Sequence, residues 1–263
     1  MNTTELIRHF RQRIAHGPVF GTFSKTSDPA IVETLGHAGF DFIILDMEHG
    51  PNSVQTAQDL IRAAQVADMA PIVRVPSGDY ETIGKVLDVG AAGVQVPQIS
   101  SAQDVQAAIE HAKFAPLGTR GLCRYVRAAD YSSMDKADYF RRANEALLII
   151  QIEGQTALDN LDEILAVKGI DIVFVGPYDL SQSLGVPGEV EHPLVIDKMR
   201  QIVKACLNRD VFVGNFTEAV PQTQMWIKQG LRYMSYSVDV GILYEAGRAL
   251  LSDFDRIPKN CSS

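Results

Sequence analysis

The sequence predicts an α/β protein folded as a closed (β/α)8, or TIM, barrel. Three observations carry this prediction: eight short apolar runs, amphipathic segments spaced between them, and a length of 263 residues that suits one such barrel. Strands alternating with helices imply parallel pairing through right-handed crossovers. An open, doubly wound sheet is the competing arrangement. It would ordinarily carry a glycine-rich phosphate turn after its first strand, and neither GxGxxG nor GxxxxGKS/T occurs.

The chain opens on MNTTELIRHFRQRIAHG, a polar amphipathic helix without the apolar core of a signal peptide. Strands are then expected at 19–25 (VFGTFSK), 41–48 (DFIILDME), 70–76 (APIVRVP) and 93–99 (GVQVPQI). The other four fall at 147–153 (LLIIQIE), 171–177 (DIVFVGP), 211–216 (VFVGNF) and 231–237 (LRYMSYS). Helical spacing of apolar residues marks PAIVETLGHAG, VQTAQDLIRAAQVA, ETIGKVLDVG and AQDVQAAIEHAKF in the first half. ALDNLDEILAVKG, HPLVIDKMRQIVKACLNR and VPQTQMWIKQG follow, with 238–251 as the last helix. Several of these segments end in Gly just before the next strand, as helix C-caps do. One connection is irregular: residues 100–146 hold a helix and then PLGTRGLCRYVRAADYSSMDKADYFRRANE. Long connections of this kind are usually functional or ordered by a partner. Without a linker, repeat or low-complexity tract, residues 1–263 form one barrel domain in this reading.

Composition narrows the function. Hydrophobic residues make up 46% and charged residues 21%, enough for a large core. A net charge of −8 without a basic cluster argues against nucleic acid or an anionic membrane as partner. No apolar run approaches the ~20 residues of a bilayer span. Cys123, Cys206 and Cys261 are odd in number and widely spaced, which suggests neither a disulfide framework nor a thiolate zinc site. The sequons at Asn2 and Asn260 read as chance matches, and a cytoplasmic protein is expected.

Barrel enzymes place their chemistry at the C-terminal ends of the strands. Those ends supply Lys25, Asp46, Glu48, His49, Arg74, Gln98, Gln151 and Glu153, followed by Asp179 after the sixth strand and Asn215 at the seventh. Strand alternation puts Ile44, Asp46 and Glu48 on one face, Gln151 and Glu153 on another, and Arg74 with Ile72. Glu153 and Asp179 are two carboxylates from adjacent strands, suited to a hard divalent cation. They are equally readable as helix N-caps, and spacing alone leaves both readings open. Arg74 on a buried strand needs a partner. It is either a structural ion pair or a fork for a carboxylate or a developing enolate. His49, three residues after Asp46, is a candidate base oriented by a carboxylate. Lys25 offers a rival chemistry, a Schiff base with a keto acid, against a bland reading as a rim lysine.

The ordered set LDMEHGPNSVQT, PIVRVP, GVQVPQI, GTRG, QIEG and FVGPYDLS resembles the HpcH/HpaI family of class II pyruvate aldolases over residues 18–252. The resemblance implies a barrel assembled as a homohexamer, a trimer of dimers that exchange the C-terminal helix. It implies a divalent metal (Mg²⁺, Mn²⁺ or Co²⁺) on Glu153 and Asp179. Arg74 would stabilise an enolate oxygen, and His49, paired with Asp46, would move a proton through water, with Glu48 behind them. Gln151 and the backbone around Gly176 and Tyr178 would bind the keto acid. The implied reaction is reversible cleavage of 2-oxo-4-hydroxy acids to pyruvate, or a related keto acid, and an aldehyde. Tyr178 departs from the Ala usual in the family, and FSKTSDP departs from its Trp and small residues. The GTRG loop keeps Arg120 and Arg127 but continues with GLCRYVRAADY. The cations Lys25 and Arg124 are expected to favour an acidic or polyhydroxylated aldehyde.

Overall fold

A computed structural model describes residues 1–256. The Asn260 sequon and Cys261 lie outside the described residues. All eight expected strands form: β1 (Val19–Ser24), β2 (Phe42–Asp46), β3 (Ala70–Arg74), β4 (Gly93–Val96), β5 (Leu147–Ile152), β6 (Ile172–Val175), β7 (Phe212–Thr217) and β8 (Tyr233–Val238). They pair in chain order, all parallel, and β8 returns to β1 to close the barrel. Twelve α-helices accompany them among the described residues. They are α1 (Thr3–His16), α2 (Pro29–His37), α3 (Val54–Val66), α4 (Tyr80–Asp88), α5 (Ala102–Ala112) and α6 (Lys136–Ala143). In the second half come α7 (Gln155–Asp159), α8 (Leu161–Ala166), α9 (Pro177–Ser183), α10 (Pro193–Leu207), α11 (Val220–Lys228) and α12 (Asp239–Asp255).

The period-2 pattern explains two separate cores. Outward residues such as Ile43, Leu45, Val73, Val94, Ile150 and Val173 pack against the helices. Inward residues such as Phe42, Ile44, Ile72, Ile149, Phe174 and Tyr233 fill the barrel. Phe42 stacks on Tyr233 with ring centroids 4.0 Å apart. Helix α1 closes the N-terminal end, because Ile7, Phe10 and Ile14 join the inner cluster and Phe10 meets Phe42 edge-on at 6.0 Å. Asn2 is the N-cap of α1: its side chain accepts from the Glu5 N–H at 3.0 Å, and Glu5 reciprocates toward Asn2 N–H.

The strands are shorter than expected at their C-terminal ends, with β2 stopping at Asp46, β3 at Arg74 and β4 at Val96. The polar residues beyond these points have left the ladder for rim loops, and Gln98 there has φ +54°. The irregular stretch 113–146 forms its own small core of Phe114, Ala129 and Tyr139. Arg120 of GTRG is buried in it, paired with Asp88 and stacked 4.6 Å over the Phe114 ring. Arg127 donates to the Gln65 side chain and the Val89 carbonyl. Both arginines therefore hold the loop to the barrel wall. The last helix runs four residues further than expected, to Asp255.

Candidate active site

Arg74 is the centre of the polar rim. Its register partners on the neighbouring strands are Asp46 on β2 and Gln95 on β4, which all face inward at one height. The guanidinium grips Asp46 with two bonds, Nε to Oδ1 at 2.9 Å and Nη2 to Oδ2 at 2.7 Å, and reaches Glu48 from Nη1 at 3.1 Å. It also lies 4.7 Å from the Phe23 ring centroid. Arginine carries five N–H donors, so this structural pairing still leaves donors for a ligand. The two readings of Arg74 are thus compatible.

Asp46 is fully buried and serves more groups than expected. Besides Arg74 it accepts from the Lys25 ammonium, the Glu48 N–H at 3.0 Å and the His49 N–H at 3.2 Å. Burial pushes its carboxyl upward, but the hydrogen bonds and charges of Arg74 and Lys25 outweigh that and hold it at about 2. Asp46 meets His49 through the main chain. The His49 imidazole is largely exposed, and its nearest carboxylate is Glu48, 3.9 Å from Nε2. Glu48 lies beyond the end of β2, so strand alternation does not position it; the turn that returns it to Arg74 does. The Gly50 backbone crowds Asp46 so closely that a side chain there would collide with the Asp46 carbonyl.

A second polar group lies on β4, β5 and the loops above them. Gln95 Nε2 donates to Gln151 Oε1 at 2.6 Å, and Gln151 Nε2 donates to Glu153 Oε2. The Gln98 N–H reaches the other Glu153 oxygen at 2.8 Å. Glu153 forms no ion pair with a cation among the described residues. Burial, with the charges of Asp179 and Glu48, outweighs the two hydrogen-bond donors and raises its carboxyl to about 7. Burial raises Glu48 as well, opposed by Arg74 and reinforced by Asp46 and Asp179. The charges of Glu153, Asp179 and Glu48 thus work against one another, although the three do not close into a single ligand cluster among the described residues. Gly176 makes the crowding possible, since a Cβ there would strike the Glu153 carboxylate. The N-cap readings of both metal candidates fail. Gly154 caps α7 and Gly176 caps α9, leaving Asp179 in the first turn of α9 with an exposed side chain.

Between the two groups lies a cavity of about 190 Å³, lined by Arg74, Gln151, Gly176, Tyr178, Asp179, His49 and Lys25 with an aromatic side of Phe23, Phe174 and Phe216. This is below the ~300–1,000 Å³ of drug-sized ligand sites and suits a small acid. Tyr178 donates its hydroxyl to Glu218. Burial and that carboxylate raise the phenol to about 12. Phe216 faces the cavity where Asn215 was expected, because alternation along β7 turns Asn215 away. Two residues went unnoticed in the sequence. Gln95 sits inward on β4, visible in principle from its register with Arg74. Asp239 takes five hydrogen bonds, from Ser24, the Lys25 N–H, the Thr26 N–H and hydroxyl, and the Val240 N–H. Nothing in the sequence around it announced this.

A closed parallel barrel with a small, charged cavity at its C-terminal rim defines an enzyme for small metabolites. The chain belongs to the HpcH/HpaI aldolase/citrate lyase family, whose profile matches residues 19–246, and is accordingly a carbon–carbon lyase. It is 33% identical to a hydroxypyruvate/pyruvate aldolase of Roseobacter denitrificans, covering 92% of this chain and 94% of that protein. It is 31% identical to a 5-keto-4-deoxy-D-glucarate aldolase of Escherichia coli over 97% of this chain and all of that one. A crystal structure of an aldolase/citrate lyase family protein from Burkholderia cenocepacia superposes with a TM-score of 0.89 at 30% identity, covering 96% and 99% of the two chains.

Proposed function

We propose that this enzyme is a divalent-metal-dependent aldolase that reversibly cleaves 2-oxo-4-hydroxy acids to pyruvate, or a related 2-keto acid, and an aldehyde. The observation that carries the reading is the pairing of opposites at one small cavity: Arg74 and Asp179 line it, and Glu153, bonded to the lining residue Gln151, and Glu48, bonded to Arg74, stand behind them. Carboxylates held this close suit a cation, so the residues fit a metal on Glu153 and Asp179, with Mg²⁺, Mn²⁺ and Co²⁺ all compatible with oxygen donors. Such a metal, when bound, supplies Lewis-acid polarisation of the keto group.

The chain's own residues do the rest. Arg74, locked by Asp46 and Glu48, directs its remaining N–H groups to the oxygen where enolate charge develops. Gln151 donates to Glu153 and fixes the carboxylate's direction, and Gln95 fixes Gln151 in turn. Gly176 and the start of α9 border the keto acid, beside Tyr178. His49, exposed at the mouth, takes the 4-hydroxyl proton through water as the C3–C4 bond breaks and its electrons pass to the enolate; a proton returned through water to C3 then gives pyruvate, and the reverse transfers serve synthesis. The Schiff-base route through Lys25 loses support, because that amine is held by Asp46 rather than presented to a carbonyl carbon. A cytoplasmic homohexamer belongs to the same reading. The apolar face of α12, where Leu243, Tyr244, Leu250, Leu251 and Phe254 are exposed, supports a partner subunit there.

The test is exchange of the pyruvate methyl protons in deuterated water, with added Mg²⁺ or Mn²⁺ and after chelation. Metal-dependent exchange is expected. Exchange that survives complete metal removal, or borohydride trapping of pyruvate on Lys25, would overturn the mechanism.

A further inference from the structure

We infer that the aldehyde partner of this enzyme is apolar and aromatic, rather than anionic or polyhydroxylated, and that Tyr178, Phe216 and Phe23 impose that choice. The inference rests on the aldolase reading above and concerns the part of the cavity that the keto acid leaves open.

Neither cation expected to draw an acidic or hydroxylated aldehyde brings an unbalanced charge to the cavity. The Lys25 ammonium is committed to Asp46. Arg124 donates to the Ser132 carbonyl at 2.6 Å and does not line the cavity. With Arg74, Gln151, Gly176 and Asp179 assigned to the keto acid and its metal, and His49 to proton transfer, the rest of the lining is carbon apart from the Lys25 ammonium, whose charge Asp46 balances, and the Tyr178 hydroxyl. Its rings form a continuous wall. Tyr178 lies tilted against Phe216 at 6.1 Å, Phe216 meets Phe23 edge-on at 6.1 Å, and Phe23 meets Phe174 edge-on at 6.0 Å. Val238 and Pro177 fill between them.

The one polar atom of that wall is already used, since the Tyr178 hydroxyl donates to Glu218. This bond holds the ring in place and leaves a carboxylate at the lip. A chain of hydroxyls entering here would exchange water for carbon and lose its hydrogen bonds without replacement. An anionic aldehyde would meet Glu218 beside Tyr178, with only the Lys25 ammonium, already shared with Asp46, to offset it. A flat aromatic aldehyde would find ring edges and faces at the 4.5–7 Å spacing that aromatic groups favour.

The experiment compares benzaldehyde, D-glyceraldehyde and succinic semialdehyde as partners for pyruvate with the Mg²⁺-loaded enzyme, alongside methyl-proton exchange of pyruvate alone. Benzaldehyde is expected to lead in kcat/KM by about 10-fold or more, the scale on which apolar pockets discriminate. Phe216→Ser and Tyr178→Ala should each shrink that ratio several-fold. Glu218→Gln should raise the semialdehyde relative to D-glyceraldehyde. Ratios within one variant are insensitive to how much of it folds. Normal proton exchange with D-glyceraldehyde or the semialdehyde equal to benzaldehyde would overturn this inference and leave the aldolase reading standing. Loss of exchange itself would overturn both.

Discussion

Arg74 bears two burdens that mutation would separate. Arg74→Ala removes the fork that faces the enolate and leaves Asp46 and Glu48 buried beside Lys25 alone. Turnover is expected to fall by on the order of 10²-fold or more, the scale of losing a preorganised donor, as measured by kcat for aldol cleavage. Arg74→Lys keeps the charge but not the bidentate grip, so it should restore little. The acid side of Asp46 is a second expectation at this scale. Its folded carboxyl lies near 2, against an ordinary value of 3.8. A lowered acid stabilises the folded state above its unfolded value, and that contribution disappears as pH falls from about 4 through about 2. The amount is roughly 2 kcal/mol, from 1.36 kcal/mol per unit. Urea midpoints should therefore drop more steeply between pH 5 and pH 2.5 in the native protein than in Asp46→Asn.

Among the elements, the strands were legible and their ends were not. Short apolar runs marked all eight, most of them rich in Val, Ile and Leu, because a parallel barrel strand is buried on both faces. Loops carry no such periodicity, so Glu48, expected on the strand face, turned out to be held from a turn. The inward choice between Asn215 and Phe216 depended on a one-residue register that pattern alone does not fix. Arg74, Glu153 and Asp46 stood out in the sequence because charge in an apolar strand end is conspicuous, and the structure places all three at the rim. Asp239 was missed because its partners lie more than 200 positions away on the β1 loop. That distant tie joins the first strand to the last helix. Asp239→Ala should lower stability by on the order of 3 kcal/mol, since several charge-assisted bonds are lost together; a thermal-unfolding comparison with Asp239→Asn checks it. The asparagine variant should recover part of the loss.

At the scale of the whole molecule, α12 stands out for its exposed apolar face. Of its 17 residues only Asp239 is buried. Leu243→Asp combined with Leu251→Asp should leave the barrel folded and reduce its mass in sedimentation equilibrium to that of a smaller assembly. An unchanged mass would mean that the apolar face of α12 is not a subunit contact.

The plug formed by Ile7, Phe10 and Ile14 has a kinetic meaning. A barrel sealed at its floor has one doorway, at the rim, and the occupant nearest the strands must enter first and depart last. For the proposed reaction, pyruvate should load before the aldehyde in condensation, and the aldehyde should depart before pyruvate in cleavage. Initial-rate and product-inhibition patterns should accordingly be those of a compulsory order. Pyruvate should compete directly with the intact 2-oxo-4-hydroxy acid, whereas the aldehyde should not. Random-order patterns would mean that the aldehyde has a route past the keto acid.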